Sequence, residues 1–477
     1  MTKLPPRLPR AARRSLTRYA LVLPVVLSAC TGMQPAYQRP ALDLPSAWPA
    51  LPDKAARFDT QRWWAIYADP ALDALMQEAL AHNADLAVAT ARIDQARAAA
   101  RVADADLLPS VNASYARSRT GISQNAAGTL RGVPTVFDDN SLKLGVSYEL
   151  DLWGRLRSAS QAARADLLGT EAARQTVRNA LTAQVAQAWY SLSALDAEVA
   201  VTEHTLATRE EALKLDRVRA TAGVISDFEL RQSEADLATV QAQLPALRAQ
   251  RDQQARALAV LLGRSPRDVV ASDFQPAAAT ALPDVVVPAD LPSELLLRRP
   301  DLRQAEQQLI AANARIGAAR AAYFPSIALT GYYGRESIAL SDLFVGPSRI
   351  FQFAAAITQP LFDGGRISAQ VDAATAQQQV AVAQYRQAVS SAFRDVLDAL
   401  SAQRAARDTL DAQTHRADLL RQTRDLAQLR YRNGVASQLD VLDAERNLLN
   451  AELGRLDAQL RMRVALADLA KALGGSY

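Results

Sequence analysis

The sequence predicts a mainly helical protein with membrane-type β-strands, built from two copies of one unit. Pairs of residues recur along the chain at separations of 211 or 216, and two stretches of 68 residues contain no proline. Between the helical stretches lie short segments that alternate apolar and polar residues, of the length a tilted transmembrane β-strand needs, about ten residues.

The repeat is explicit. Asp85-Leu86 and Pro109-Ser110 return as Asp301-Leu302 and Pro325-Ser326, 216 residues later; Gly154-Arg155, Gly223-Val224 and Leu262-Gly263 return as Gly365-Arg366, Gly434-Val435 and Leu473-Gly474, 211 later. The offset changes only between Pro109 and Gly154, so that interval holds a loop of variable length. Residues 71–263 form the first copy and 295–477 the second, joined by a linker over 264–294.

Each copy opens with a helical stretch, Ala71–Leu107 or Asp301–Phe324, that ends before a proline. A β-hairpin follows, at about 110–152 and about 326–361. Leu142, Leu144, Val146, Tyr148, Leu150 and Leu152 alternate with Lys143, Gly145, Ser147, Glu149 and Asp151, a period of two over eleven residues. Val111, Ala113 and Tyr115 supply the partner strand across a polar loop. Ile327, Leu329, Gly331 and Tyr333, with Phe351, Phe353, Ala355 and Ile357, repeat the pattern. Helices over 155–222 and 366–433 then run about 100 Å each, too long for a compact domain, so they pack as coiled coils. Helices over 227–262 and 438–473 return from them, and Pro245 predicts a kink in the first.

Four strands cannot close, and a lipid-exposed sheet cannot leave edges open. Two chains would give eight strands and three would give twelve. Lys143, Glu149 and Asp151 on the inward face favour a wide, wet lumen. The expectation is a homotrimer: a twelve-stranded β-barrel continued by a long α-helical barrel. A soluble hairpin packed on a core is the plainer alternative.

Composition sets further limits. Of 477 residues, 49% are hydrophobic and only 6% aromatic, with one Cys and three His. That excludes a disulfide framework and the usual zinc clusters. Lys3, Arg7, Arg10, Arg13, Arg14 and Arg18 precede the apolar run Ala20–Leu27, so residues 1–29 read as a signal peptide, too short to span a bilayer. Without them 48 basic side chains face 50 acidic ones, and a nucleic-acid partner loses its support. Leu27-Ser28-Ala29-Cys30 resembles the bacterial lipobox, which implies a covalent lipid on Cys30; an ordinary signal with a bystander Cys is the alternative. Thr31 after it, in place of Asp, resembles the outer-membrane sorting rule. Residues 30–70 form the lipidated N-terminal segment.

Gly223 and Gly434 end the two long helices, where a left-handed residue is commonly needed. Ser226-x-x-Glu229 has capping-box spacing and Ser437-x-x-Asp440 a looser version, so Glu229 and Asp440 read equally as helix caps and as gate residues. Asp443 lies beyond cap reach, on the same helical face as Asp440, and its repeat equivalent is Gln232. His204 and His415 are also repeat equivalents; ordinary exposed heptad positions or a ring across subunits both fit them. Gly364-Gly365 has no phosphate-binding spacing around it, and no nucleophile set is present, so the chain is not read as an enzyme.

The ordered motifs Arg62-Trp63-Trp64 with Asp69-Pro70-Ala71-Leu72, Asn83-Ala84-Asp85-Leu86, Arg298-Arg299-Pro300-Asp301-Leu302-Arg303-Gln304-Ala305-Glu306, Ala321-Ala322-Tyr323-Phe324-Pro325-Ser326, and Tyr431-Arg432-Asn433-Gly434 through Leu439-Asp440-Val441-Leu442-Asp443-Ala444 cover nearly the whole mature chain. They resemble the TolC-like outer-membrane efflux family, in its lipoprotein branch. The resemblance implies a trimeric channel in outer-membrane lipid that reaches into the periplasm, with a periplasmic adaptor and an inner-membrane transporter as partners and no cofactor. It matches Asp440 and Asp443 to an acidic ring at the periplasmic mouth, and Tyr431 and Glu229 to gate positions. At Ala436 the chain departs from the best-known member, which carries an Arg there; Arg432 is the substitute this sequence offers. The resemblance places adaptor contact at Ala222, Gly223, Val224, Ile225, Asn433, Gly434 and Val435. Passive efflux is the function implied. An exit duct for type I polypeptide secretion and a non-porous periplasmic tether are the alternatives.

Overall fold

A computed structural model describes residues 33–45, 62–123, 135–276 and 299–475. The signal peptide and Cys30 lie outside the described residues. The elements are helices α1 (Pro70–His82) and α2 (Ala84–Ala105), strands β1 (Ser110–Gly121) and β2 (Val136–Glu149), and helices α3 (Arg155–Thr221), α4 (Asp227–Leu261) and α5 (Pro266–Val270). Then come α6 (Pro300–Ala321), β3 (Ser326–Ser337), β4 (Arg349–Thr358), α7 (Arg366–Arg432) and α8 (Gln438–Ala472). The chain divides into two compact units, one of residues 1–40, 93–169 and 305–385, the other of residues 41–92, 170–304 and 386–477.

The first unit holds one antiparallel sheet in the order β1-β2-β3-β4. Alternation sets its register. Val111 pairs with Val146, Val146 with Gly331 and Gly331 with Phe353; Ala113, Leu144, Tyr333 and Phe351 form the next row. These apolar side chains share one face and are largely exposed, with Phe353 at 79% and Phe351 at 67%. The opposite face is polar: Lys143 pairs with Glu336 at 3.1 Å and lies over the Tyr332 ring. β1 bonds only to β2 and β4 only to β3, so among the described residues both outer edges are unpaired.

Strand β2 stops at Glu149, short of the expected end of the alternation. Asp151 is therefore not on the inward face of the sheet. Its carboxylate accepts from the backbone N–H of Leu156 and Arg157 at 3.0 and 2.9 Å and caps α3. Asp363 does the same for α7, through Gly365 and Ile367.

Residues 33–40 run along α6 in the same unit. Arg39 grips Glu306 with two nitrogens, at 2.8 and 2.7 Å, and Tyr37 donates to the same carboxylate at 3.1 Å. Burial and that carboxylate push the Tyr37 phenol up to about 12, so it remains a donor at physiological pH. Further along, Asn313 donates to the Pro35 carbonyl, and Gln34 passes so close to Gly317 that a Cβ there would sit 2.7 Å from the Gln34 Cβ.

The core of the second unit gathers around Trp63, Trp64 and Tyr67, with Leu72, Met76, Trp189, Leu192, Leu258 and Leu466. The indoles are wired to carboxylates: Trp64 donates to Asp73 and Trp189 to Asp69, both at 2.8 Å, while Asp69 also caps α1. Arg299, 8% exposed, bonds Asp301, Asp395 and the carbonyls of Ala392 and Ala472, so α6, α7 and α8 meet on one guanidinium. Fully buried Ala183, Ala186, Ala259 and Ala467 explain the alanine-rich composition, since small side chains let helices approach closely. Along α3 and α4, Arg251–Asp196, Arg248–Glu203 and Arg217–Glu234 mark one antiparallel register. Pro245 is accommodated inside α4, which remains a single element.

The helical stretch before the first hairpin is two helices rather than one. Asn83 leaves helical geometry with ψ 131°, ends α1, and starts α2 by accepting from the Leu86 N–H at 3.0 Å. Its amide also donates to the Leu261 carbonyl at 2.8 Å. The segment after α4 contains α5, started by Ser265, and Phe274 is buried in the core with Arg264 stacked on its ring. Asn83→Ala removes two bonds from a buried joint. We expect it to cost about 1–3 kcal/mol and to lower the thermal midpoint of the purified protein; an unchanged midpoint refutes the assignment of Asn83 as a double cap.

Candidate functional site at the two interhelical turns

All the sequence-predicted gate and docking residues lie in the second unit, at the α3–α4 and α7–α8 turns. The two turns have the same backbone. Gly223 (φ +72°) donates to the Ala220 carbonyl and Val224 to that of Arg219; Gly434 (φ +74°) and Val435 repeat this with Tyr431 and Arg430. Each is a Schellman ending, which satisfies the last helical carbonyls and needs a left-handed residue. Among the described residues, nothing beyond the chain neighbours lies within 4 Å of a Cβ built at either glycine, so the glycines are set by backbone conformation.

The chain re-enters a helix at once. Ser226 and Glu229 form a full capping box, and Ser437 and Asp440 form another. The Glu229 carboxylate accepts from the Ser226 N–H at 2.8 Å, and that of Asp440 from the Ser437 N–H at 2.8 Å. Hydrogen bonds from the serine backbone and hydroxyl hold both carboxyls below their ordinary values. The stability they give the helix starts is therefore present above the ordinary carboxylate range and is lost as pH falls through the lowered values. Both carboxylates act as caps while remaining charged and solvent-facing.

Asp443, one turn further on, is exposed and paired with the Arg446 guanidinium; it also accepts from Asn447 at 3.0 Å. The Tyr431 hydroxyl accepts from Arg219 at 3.1 Å, and the Arg219 guanidinium lies 5.7 Å from the ring centroid, linking α3 to α7. Arg432 is exposed beside it. Val224 and Val435 are 70% and 63% exposed, and Ile225 is half-buried. His204 and His415 are both exposed, and no group of His, Cys, Asp and Glu able to hold a metal ion occurs among the described residues.

Three features escape a reading of the sequence. Arg219, the partner of Tyr431, sits in the other repeat. Phe228, 73% exposed, and its repeat equivalent Leu439, 51% exposed, are further exposed apolar side chains, in the first turns of the helices that follow Val224 and Val435. Behind the turns, Asp216, Ser233 and Gln438 form a buried polar cluster: Ser233 donates to Asp216 at 2.9 Å, and the Gln438 amide donates to Asp216 at 2.6 Å and to Ser233 at 2.5 Å. Each is under 8% exposed. Since α3 and α4 supply Asp216 and Ser233 while α8 supplies Gln438, the cluster ties the first turn to the second. Spacing alone gives no sign of it, because the repeat equivalents of Asp216 and Ser233 are Ala427 and Ala444.

Comparison with known proteins fixes the class. The model of the outer membrane efflux protein family matches residues 75–264 and 291–475. The toluene efflux pump outer membrane protein TtgC of Pseudomonas putida is 37% identical over 465 residues, 95% of this chain and 94% of that protein. The cation efflux system protein CusC of Escherichia coli is 33% identical over 457 residues, covering 95% and 97%. The open-state crystal structure of the Neisseria gonorrhoeae MtrE outer membrane channel superimposes with a TM-score of 0.80 at 34% identity, over 93% of this chain and 98% of that one. The chain therefore belongs to the outer membrane efflux protein family. It is an outer-membrane efflux channel protein that extends into the periplasm.

The buried cluster yields a measurable coupling. Asp216→Ala strands the Gln438 amide and the Ser233 hydroxyl, which we expect to cost about 1–3 kcal/mol. In a double-mutant cycle with Gln438→Leu, the two changes should be non-additive by about 0.5–3 kcal/mol. Strict additivity in denaturation midpoints would separate the two residues.

Proposed function

We propose that three copies of this chain form one conduit: a twelve-stranded barrel in the outer membrane and a helical barrel below it, anchored by lipid on Cys30. Residues 71–263 and 295–477 act as two copies of one unit, so a trimer presents six similar turns at its periplasmic mouth. A periplasmic adaptor seats on those turns, and an inner-membrane transporter supplies both cargo and energy. The channel itself conducts passively and catalyses nothing. The observation that carries this reading is the sheet: an exposed apolar face with two unpaired edges, which lipid and neighbouring chains together would satisfy.

At the mouth, Asp440 and Asp443 from three chains surround one constriction, where carboxylates attract cations and disfavour anions. Tyr431 with Arg219, and the Asp216–Ser233–Gln438 cluster, hold the helix pairs in the closed arrangement; Glu229 secures the first turn and Arg432 stands beside the second. The exposed pairs Val224 with Phe228 and Val435 with Leu439 offer apolar knobs to the adaptor beside Gly223, Ile225 and Gly434.

Deleting the gene and challenging the strain with drugs, dyes and metal ions tests the function: raised susceptibility to small solutes is expected, and loss of an exported polypeptide alone would instead indicate secretion. In planar bilayers, Asp440→Ala with Asp443→Ala should raise conductance or abolish block by divalent cations. In the wild type that block should fade on acidification, Asp440 giving up its charge only below the usual aspartate range. Unchanged currents would place the constriction elsewhere. Phe228→Asp with Leu439→Asp should weaken adaptor capture while leaving the oligomeric state intact; full capture would remove these two side chains from the interface.

A further inference from the structure

The apolar face of the sheet is not uniform. Gly331 lies in the row between Val146 and Phe353 and contributes no side chain, and the Phe353 ring leans over it, 2.9 Å from where a Cβ would stand. In the next row toward the helices, Tyr148 and Leu329 are followed by the small Ala355. The result is a groove of about 500 Å³ at the base of the sheet, lined by Pro109, Val146, Tyr148, Leu329, Phe353 and Ala355. A volume of this size suits a single flexible apolar group.

We infer that this groove holds a long acyl chain, the one carried by Cys30; the inference rests on the lipid-anchor reading above. The N-terminal segment aims at it. Arg39 and Tyr37 are bound to Glu306, Pro35 to Asn313, and Gln34 lies against Gly317. Descending residue numbers thus climb α6 toward its C-terminal end, where β3 begins. From Gly317 the chain rises about 11 Å over the seven residues of helix and turn to Phe324, and the five residues from there to Leu329 add at most about 17 Å. Three residues separate Gln34 from Cys30, and the four steps between them extend at most about 14 Å. An acyl chain reaches roughly half of the ~30 Å hydrocarbon core, about 15 Å. Peptide and lipid together cover the distance, and the groove lies on the face that a membrane would bathe. All the residues involved belong to the first unit.

The test uses the full-length protein, produced in cells fed a diazirine-bearing fatty acid, irradiated in membranes, digested and analysed by mass spectrometry. The expected product joins the Cys30 peptide, through its acyl chain, to peptides containing Tyr148, Leu329 or Phe353. Ala355→Phe, which fills the groove at an exposed position, should abolish that product while the oligomer and its conductance persist. Cross-links from Cys30 lipid spread evenly over the apolar face, or groove peptides joined only to phospholipid, overturn the inference. A Cys30 peptide without any acyl mass overturns the lipid anchor itself, an outcome distinct from the other two.

Discussion

One chain cannot complete its own sheet. Four strands carry an apolar face that water would not tolerate and two edges with unpaired backbone groups, and in hydrocarbon each such group costs several kcal/mol. A soluble protein would have folded a helix over that face; here it stays exposed, and the helices that follow the hairpins are each started by a carboxylate, Asp151 or Asp363. The proposed trimer follows from this constraint more directly than from anything in the helices. Closing the edges with copies of the same chain would add no new surface to specify, since β4 of one copy would meet β1 of the next.

The proposed duplication would account for most of the remaining order, and its exceptions are informative. The turns at Gly223 and Gly434 share the same carbonyl acceptors, the same glycine conformation and the same capping box. Features needed for any helix-to-helix turn are thus held in both copies. Where the copies part, the residues reach across to the other repeat: Arg219 to Tyr431, and Asp216 with Ser233 to Gln438. In the second copy the positions equivalent to Asp216 and Ser233 are Ala427 and Ala444. A buried carboxylate is expensive unless its acceptors are satisfied, so this cluster fixes one mutual arrangement of the two turns where alanines would allow several.

The long helices were legible in the sequence to within a residue or so, because glycine and serine punctuate their ends. The two faces of the hairpin strands were legible too, from alternation alone, whereas the pairing of individual residues is given only by the structure. The break at Asn83 was not, for want of a proline or glycine: a single asparagine ends one helix with its backbone and starts the next with its side chain. Asp151 misled because alternation continued past the point where pairing stopped. The motifs that identify the family, Trp63-Trp64 with Asp69 and Arg299-Pro300-Asp301, are structural clamps of the second unit. They announce the fold and say little of the mouth, whose long-range partners no spacing rule connects.

The charge at the proposed constriction is smaller than the carboxylates alone suggest, and it is adjustable. Asp440 takes its hydrogen bonds from neutral serine groups, and the nearby Arg430 guanidinium offsets part of its negative charge. Asp443 is matched by Arg446 on the same helix face. In the proposed trimer the Asp440 carboxylates, which have a nearby guanidinium but accept their hydrogen bonds from serine, would be less closely matched than those of Asp443. Yet the Asp443–Arg446 pair is exposed, and such pairs are worth at most about 1 kcal/mol. In the proposed trimer, a divalent cation entering the mouth would displace Arg446 at little cost and engage the Asp443 carboxylates as well as those of Asp440.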